Sequence, residues 1–337
     1  MVKLEDVARK AGISKTTVSR VLNNDKTITV TDETREKILA AVEELGYKPL
    51  RKKRTKPKQY HVAMIHNNEA FKSTVDRAFY FSIRNGLEHM ALKKNVTIVS
   101  LPLDHLTTIS TTNTTFDGAI ILGNLSKDEH DFIREYIHSQ HVVVIGLANP
   151  YADQYDHISF NTRQAVYKVL NYLRELDHEQ IGCLGAEESS DLLNTDSRKW
   201  HFTNYMKALD LYHEDWVIFG DKGIEAGQEI AKKLLELEEI PTALFVANDP
   251  TAIGVVQALQ DAGLKVPEDM SVIGFNGDYT TEYIYPPLST LKVNTNEMGQ
   301  EAIITVLERI KGYRKLAKKV EIATHIIERK SCAPMKK

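Results

Sequence analysis

The stretch from Leu4 to Asn23 constrains this chain more than any other part of the sequence, because it has the pattern of two short amphipathic helices joined by a tight turn. Gly12 interrupts the first helical pattern, and Ser14 stands where an N-cap is expected, with its hydroxyl placed to accept the backbone N–H of Thr17. The spacing therefore predicts a second helix that begins at residue 15. Apolar residues at helical spacing mark the inward face of the first helix, namely Leu4, Val7, Ala8 and Ala11.

The second segment divides its side chains between two faces. Val18, Val21 and Leu22 form an apolar stripe on the inward side. Short hydrogen-bonding and cationic side chains occupy the opposite side, namely Lys15, Thr16, Ser19, Arg20 and Asn23. Such side chains contact base edges and phosphates when a helix lies in the major groove, so the pattern favours a DNA-binding helix-turn-helix. The alternative is a small three-helix domain whose polar face meets only water.

A third helix and the distribution of charge support the DNA-binding interpretation. The helix is predicted at about 31–45, opened by Thr31 and packed inward through Ile38, Leu39, Val42 and Leu45. Residues 1–60 contain 15 lysines and arginines against 8 acidic residues, although the whole chain has a net charge of −3. A basic N-terminal region joined to an acidic remainder is the asymmetry expected of a nucleic-acid-binding domain attached to a domain of another kind.

The composition excludes several other classes of protein. No apolar run approaches the ~20 residues that cross a bilayer, and the N-terminus has no apolar signal core, so we expect a cytoplasmic protein without a membrane partner. Cys183 and Cys332 cannot form a disulfide framework. The sequence has no phosphate-binding glycine loop, no nucleophile-elbow motif and no metal-binding histidine spacing. We therefore expect no catalytic site, no cofactor and no metal.

From Tyr60 onward, short apolar runs alternate with amphipathic stretches, which is typical of parallel sheets covered by helices. A ligand would then bind between two α/β lobes, at the carboxyl ends of their strands. The predicted strands are His61–His66, Val96–Leu101, Gly118–Leu122, Val142–Leu147, His157–Phe160, Gln180–Leu184, Ala243–Ala247 and Ser271–Phe275. The predicted helices are Phe81–Lys94, Lys127–Ser139, Arg163–Glu175, Asp196–Leu209, Ile224–Glu236, Pro250–Gly263 and Asn296–Lys311.

Motifs at both ends of the chain resemble the lactose/galactose repressor family of transcriptional regulators. The headpiece runs are Leu4–Asn23, Thr34–Ile38 and Leu45–Pro49, and the core runs are Phe245–Asp249, Ser271–Phe275 and Pro286–Thr290. Tyr285–Gly299 is most similar to the galactose operon and evolved-β-galactosidase repressor branch. The resemblance implies an α/β chain with an all-α helix-turn-helix headpiece (1–47), a basic linker (48–60) and a two-lobed, periplasmic-binding-protein-like core of doubly wound parallel sheets (61–337). Its lobes would span about 61–160 and 161–290, with a crossover return near 286–294.

The resemblance also implies which residues meet operator DNA. They are Leu4, Ser14, Lys15, Thr16, Thr17, Ser19, Arg20 and Asn23 in the headpiece, with Arg51, Lys52, Lys53 and Arg54 in the linker. In many family members the linker forms a helix that enters the minor groove, but residues 51–56 lack the small residue and the leucine that such helices need. We expect this linker to act through charge. A two-fold operator implies a homodimer, with Asn296–Lys311 as a candidate contact element.

A small sugar effector is implied between the lobes, held by planar hydrogen-bonding groups and aromatic faces. The candidate effector-binding residues are Phe79, Tyr80, Arg198, Lys222, Asn248 and Asn276. For Arg198 the alternative is a surface arginine at a helix start, and for Phe79 and Tyr80 it is a place in the core. Three departures from the family pattern, Gly146, Lys222 and Gly277, remove anionic groups or add a cation, which raises the alternative of a phosphorylated sugar.

The expected function is a sequence-specific repressor of a galactose or galactoside utilisation operon, relieved by a sugar bound between the lobes. One alternative is the same fold responding to a phosphorylated sugar or acting with a corepressor. The alternative from another class is a sugar-binding receptor without a regulatory role. Such a receptor would have no use for a DNA-binding headpiece.

Overall fold

The computed structural model describes residues 2–23, 25, 27–48, 58–67, 76–109, 115–123, 125–147, 149–186 and 197–335 of the 337-residue chain. Internal contacts divide the chain into two compact units, Met1–Lys58 and Gln59–Lys337. We call these the headpiece and the core. The linker residues Arg51, Lys52, Lys53 and Arg54 lie outside the described residues, so their predicted DNA contacts stay a prediction.

The headpiece contains three helices: α1 (Leu4–Ala11), α2 (Lys15–Leu22) and α3 (Asp32–Glu44). The turn before α2 has the predicted form, because Gly12 adopts a left-handed conformation with φ of 68° and the Ser14 hydroxyl accepts the Thr17 backbone N–H at 3.1 Å. Thr31 caps α3 in the same way, accepting the Thr34 N–H at 3.3 Å. Both caps satisfy backbone donors that a helix start would otherwise leave unpaired.

A small apolar cluster holds the three headpiece helices together. Its buried members are Val7, Ala8, Val18, Val21, Ile38 and Ala41. The prediction that Leu39 packs inward is wrong, since its side chain is 51% exposed. The inward face of α3 runs through Ile38 and Ala41, and a residue one position after Ile38 is rotated about 100° away from that face.

Two six-stranded sheets form the core. The first has the order β11-β5-β4-β3-β1-β2 with all neighbours parallel, and the second has the order β12-β10-β9-β8-β6-β7 with β12 antiparallel to β10. The strands are β1 (Tyr60–His66), β2 (Val96–Pro102), β3 (Gly118–Leu122), β4 (Val142–Ile145), β5 (Asp156–Ser159), β6 (Ile181–Ala186), β7 (Val217–Gly220), β8 (Ala243–Val246), β9 (Ser271–Asn276), β10 (Ser289–Lys292), β11 (Lys319–Glu321) and β12 (His325–Ile327). Sequence patterning predicted β1 to β6, β8 and β9, but missed β7, β10, β11 and β12.

Helices lie on both faces of each sheet, as expected for a doubly wound fold. They are α4 (Arg77–Lys94), α5 (Leu106–Ile109), α6 (Lys127–Tyr136), α7 (Thr162–Glu175), α8 (Ser197–Ala208), α9 (Ile224–Leu235), α10 (Asp249–Asp261) and α11 (Thr295–Ile310). Among the described helices, none is both long enough and apolar enough to cross a membrane.

Within the described residues the chain passes between the two sheets three times. The first passage lies between β5 and α7, the second at 293–294 between β10 and α11, and the third at 322–324 between β11 and β12. Of the described residues, those within 59–159 and 295–321 therefore build the first lobe, and those within 161–292 and 325–335 build the second. Each lobe is completed by a segment from the far end of the chain.

The return helix α11 is packed into the first lobe. Gly86 of α4 lies so close to α11 that a Cβ there would stand 2.0 Å from the Asn296 carbonyl oxygen, and Gly299 is equally close to the Ile83 carbonyl. Within α11 only Glu297 is exposed. This helix therefore belongs to the core of its own protomer, and the prediction that Asn296–Lys311 contributes to a dimer surface stays a prediction.

Candidate functional site

The outer face of α2 is the candidate DNA-binding surface. Lys15, Thr16, Arg20 and Asn23 are exposed there, and the Ser14 cap is exposed at its N-terminal end. The other predicted contacts are partly buried, namely Leu4, Thr17 and Ser19. A helix with polar side chains clustered at its first turn can present them to base edges.

Two of the cations on this surface contact acidic neighbours. The Lys15 ammonium bonds the Glu5 carboxylate of α1, and this contact holds the pKa of Glu5 below its ordinary value. The guanidinium Nε of Arg20 lies 3.9 Å from Asp25 Oδ2, which is too long for a hydrogen bond, while Thr27 occupies the other oxygen of Asp25. Exposed ion pairs contribute little to stability, so DNA phosphates can displace these carboxylates at small cost.

Asn23 has a structural use that the sequence analysis did not anticipate. Its side-chain amide donates to the Ser19 backbone oxygen at 2.7 Å, in addition to the Asn23 backbone N–H, which donates to the same oxygen at 3.1 Å. That bond fixes the side chain along the helix. Its predicted DNA contact remains a prediction.

A cleft of about 650 Å³ lies between the two lobes of the core, and we call it the primary cleft. The first lobe supplies the start of α4 and the loop after β4, and the second lobe supplies the start of α8 and the end of β9. The residues that line it are Asp76, Phe79, Tyr80, Ile83, Ile145, Gly146, Leu147, Phe160, Thr162, Arg198, Asn276 and Met298. Four of the six predicted effector residues are in this set: Phe79, Tyr80, Arg198 and Asn276.

Arg198 is held in place by the strand ends of the second lobe. Its Nη1 donates to the Ala247 backbone oxygen at 2.5 Å, and its guanidinium lies 5.2 Å from the centre of the Phe275 ring. Opposite it, the rings of Phe79 and Tyr80 meet edge to face with centres 5.5 Å apart. The cleft thus combines a planar cationic fork with aromatic surface, which suits a polyhydroxylated ligand.

Lys222 and Asn248 are not among the residues that line the primary cleft. The Lys222 ammonium lies 3.7 Å from the Asp76 carboxylate, so this ion pair joins the loop after β7 in the second lobe to the start of α4 in the first. The Asn248 side chain caps α10 and accepts the Thr251 backbone N–H at 2.9 Å. Their predicted roles in effector binding stay predictions.

Asp76 and Asp249 are site residues that sequence reasoning missed. Asp76 brings a carboxylate to the cleft wall, although the departures at 146 and 277 had suggested a cleft poor in acidic groups. Asp249 is fully buried and accepts hydrogen bonds from the Asp278 backbone N–H and the Thr290 hydroxyl, both at 2.6 Å. Asp249 ends the Phe245–Asp249 motif, directly after Asn248, and this position was the sequence signal that could have identified it.

Asp249 fixes the loop that carries Asn276. Burial raises the pKa of Asp249 to about 7, because no cation among its described partners compensates for the loss of water. Asn276 itself adopts a left-handed φ of 107°, a conformation that costs energy for a residue with a Cβ. The bonds from Asp249 to residue 278 stabilise this strained turn at the edge of the cleft.

Comparison with known protein families gives two matches along the chain. Residues 3–49 match the family of bacterial regulatory proteins called the lacI family, and residues 170–332 match the periplasmic binding protein-like domain. The solved structures that resemble this chain include a complex of the transcriptional regulator CelR with cellobiose (TM-score 0.69, 23% identity, 98% of this chain and 100% of that chain). They also include the lac repressor dimer bound to operator and the anti-inducer ONPF (TM-score 0.67, 22% identity, 98% and 99%). These likenesses show a shared fold.

Curated relatives match over nearly their whole length. The transcriptional repressor MelR of Bacillus subtilis (strain 168) is 32% identical over 98% of both chains. The transcriptional regulator GanR of the same organism is 31% identical over 98% of this chain and 99% of its own. These relatives are transcriptional regulators, not enzymes. The chain therefore belongs to the lacI family of bacterial regulatory proteins.

Proposed function

We propose that this regulator represses transcription as a homodimer and that a small neutral sugar bound in the primary cleft releases it from its operator. The observation that carries the proposal is that both lobes build the cleft walls, with Arg198 and Asn276 on one side and Phe79 and Tyr80 on the other. A ligand that contacts both lobes favours one arrangement of them over another. Operator affinity then changes by the ratio of the ligand's affinities for the two arrangements of the lobes.

Relatives give the chemical class of the effector. A structure of similar fold contains cellobiose, and another similar structure, a regulator from Enterococcus faecium, contains ribose. The run Tyr285–Gly299 resembles the galactose-type branch, so galactose and its glycosides are the first effectors to test.

The charges around the cleft favour a neutral sugar over a phosphorylated one. The Asp76 carboxylate lines the cleft and would repel a phosphate group. The cation that suggested a phosphorylated ligand, Lys222, lies against that same carboxylate at 3.7 Å. Calorimetric titration with galactose and galactose 6-phosphate tests the distinction. Neutral-sugar binding that survives Lys222→Ala supports the proposal, and binding of the phosphate ester alone contradicts it.

Operator binding is tested on a duplex taken from the promoter region upstream of the gene for this chain. Fluorescence anisotropy should show binding that galactose or lactose weakens, while a sugar that strengthens binding would indicate corepression instead. Arg20→Ala should abolish specific binding and leave sugar affinity intact. Lys37→Ala is the matched control, because Lys37 is a headpiece cation on α3 that pairs with Glu33 at 2.8 Å. Equal losses in both variants would reject α2 as the reading helix.

The linker and the dimer need separate tests. Neutralising Arg51–Arg54 should weaken binding to cognate and random duplex alike and flatten the salt dependence of both. A loss confined to the cognate duplex would indicate specific linker contacts instead.

A two-fold operator requires two headpieces, so light scattering should report a dimer of the 337-residue chain. A monomer at the concentrations that bind operator would contradict the homodimer.

A further inference from the structure

An acidic side chain lies beside the part of the headpiece that is expected to face bases. Glu5 is in the first turn of α1, and its carboxylate bonds the ammonium of Lys15, the first residue of α2. Both side chains are exposed, Glu5 at 62% and Lys15 at 56%. Because DNA phosphates repel a carboxylate, its place at the start of a DNA-reading helix requires a physical explanation.

The carboxylate near the other end of α2 has a local structural role that Glu5 lacks. Asp25 accepts hydrogen bonds from the Thr27 backbone N–H at 2.9 Å and from the Thr27 hydroxyl at 2.7 Å, so it stabilises its own turn. The hydrogen-bond partner of Glu5 among the described residues is Lys15, which contacts one oxygen of the carboxylate. The other oxygen can therefore accept a bond from a donor on DNA.

Together the two side chains present two donors and one acceptor side by side. An ammonium group has three protons, so Lys15 keeps two after it bonds Glu5. In the major groove a guanine presents two acceptors, N7 and O6, and its paired cytosine presents one donor, the N4 amino group. An A·T pair instead places its donor between two acceptors. The remaining groups of Glu5 and Lys15 therefore complement a G·C pair and not an A·T pair.

We propose that Glu5 and Lys15 act as one unit that reads a single G·C base pair in each half of the operator. Lys15 donates to guanine N7 and O6, and Glu5 accepts from cytosine N4. This inference rests on the proposed role of α2 as the reading helix and specifies a base pair that it recognises. It adds a specificity-determining residue from α1, the helix that crosses the DNA backbone in a helix-turn-helix.

The test is selection of half-sites from a randomised duplex pool by the full chain and its variants. Lys15→Met removes the ammonium and so identifies the base pair that Lys15 contacts. Glu5→Ala removes the carboxylate and keeps a residue that favours helices. Glu44→Ala is the matched control, because Glu44 forms an exposed pair with Lys10 that joins α3 to α1 and does not involve α2. Circular dichroism checks that each variant is folded.

The wild type should select G·C at the base pair that Lys15→Met alters. Fluorescence anisotropy should then show a preference of about tenfold or more over A·T at that position, as good base contacts provide. Glu5→Ala should reduce this preference to about threefold or less and change the preferences at other base pairs by less than about twofold. Glu44→Ala removes the same charge and should leave every preference unchanged.

Exchanging the two side chains reverses the expected pattern. The double variant with Glu5→Lys and Lys15→Glu places the acceptor where the donors were and the donors where the acceptor was. Its preference at the same base pair should therefore change from G·C to C·G, because the two orientations present their acceptors and donor in opposite order.

Several results would overturn the proposal. If Glu5→Ala binds all duplexes more tightly and keeps the wild-type preferences, DNA displaces the carboxylate and Glu5 reads no base. Selection of A·T at the position that Lys15 contacts, or a charge-exchanged variant that still prefers G·C, would also contradict it. If Lys15→Met and Arg20→Ala both leave every base preference unchanged, α2 is not the reading helix, and the inference fails together with that proposed role.

Discussion

The two lobes share one sheet plan but stabilise their buried polar groups by opposite means. In the first lobe the buried carboxylate of Asp156 is held by a bidentate arginine, with Arg314 nitrogens at 2.7 and 2.6 Å. In the second lobe the buried carboxylate of Asp249 is held by a hydroxyl and by backbone N–H groups, with no cation among its described partners. The first arrangement pairs a buried carboxylate with a cation, and the second leaves a carboxyl group whose pKa burial raises to about 7.

The positions of these groups explain the difference. Asp156 begins β5, and its partner Arg314 lies in the segment that follows α11, so the ion pair fastens the returning chain to the first sheet. Asp249 begins α10 and holds the loop beside Asn276, where a ligand is proposed to bind. The ion pair thus holds the returning chain, and the hydrogen bonds of Asp249 hold the loop at the edge of the primary cleft.

The largest expected effect comes from breaking the buried ion pair. Arg314→Met should lower the free energy of unfolding by up to about 3–5 kcal/mol, because it removes the bidentate partner of a buried carboxylate and leaves only the Lys318 backbone N–H at 2.8 Å and the Arg309 guanidinium at 3.9 Å. Urea unfolding at pH 7 measures the loss. The matched control is Arg84→Met, which removes an exposed ion pair with Glu88 on the surface of α4 and should cost less than about 1 kcal/mol. Equal losses in the two variants would mean that the buried Arg314–Asp156 pair stabilises the fold no more than an exposed pair does.

The Asp249 carboxyl should give the second lobe a pH dependence of its own. Its pKa is raised from 3.8 to about 7, so between these values the folded chain holds a proton that the unfolded chain has released. Stability should therefore fall as pH rises from about 4 to about 7, by at most about 1.4 kcal/mol per pH unit from this group. Urea unfolding across this range should show a flatter profile for Asp249→Asn. Parallel profiles would contradict the raised pKa.

Two buried histidines extend the comparison between the lobes. The one with more hydrogen bonds, His178, lies in the second lobe. His178 contacts Thr242 at 2.9 Å and both Ser271 and Ala333 at 3.0 Å, whereas both ring nitrogens of His130 lack a hydrogen-bond partner among the described residues. His178→Leu should lower the free energy of unfolding by about 1–3 kcal/mol, since it leaves polar groups unpaired. His130→Leu should be neutral or stabilising.

Both histidine variants should also lose less stability in acid than the wild type. Burial lowers the pKa of both side chains, so the unfolded chain takes up protons below about 6.5 while the folded chain does not. Stability is therefore lost as pH falls, and His130→Leu should reduce that loss. Unfolding midpoints at pH 5 and pH 7 measure it. If His130→Leu loses more stability between pH 7 and pH 5 than the wild type does, the lowered pKa of His130 is contradicted.

The smallest effect is expected where the lobes meet. The Lys222–Asp76 pair is about one-third exposed on each side, so Lys222→Ala should change stability by less than about 1 kcal/mol and sugar affinity by a few-fold at most. Lys127→Ala is the control, because its partner Asp131 lies on the same helix of the first lobe. A loss of sugar affinity above about thirtyfold in Lys222→Ala alone would make this pair a binding element.

Local patterns predicted most of the fold, and the failures have a common cause. The helix caps and the strands with continuous apolar runs follow from short segments, so Ser14, Thr31 and β1 could be predicted. The strands β11 and β12 are three residues long and form only because each pairs with a sheet built from distant parts of the chain. Periodicity contains no signal for such pairing.

The candidate site divides in the same way. The family resemblance gave Arg198, Phe79 and Tyr80, which do meet in the primary cleft. It did not give Asp76, because the importance of that carboxylate depends on a lysine from the other lobe. The wrong assignment of Leu39 has a simpler origin, since adjacent positions on an amphipathic helix differ by about 100° and the edge of the apolar face is easily misjudged.

The triple passage between the lobes has a consequence for how this chain tolerates damage and how it is made. A protease that severs the first passage divides the chain into two fragments, and the first lobe is then held together only by noncovalent packing, because α11 and β11 stay attached to the second lobe. During synthesis the first sheet stays without its edge strand until the ribosome has passed residue 321, long after the headpiece has emerged. The headpiece can therefore fold before the core is complete.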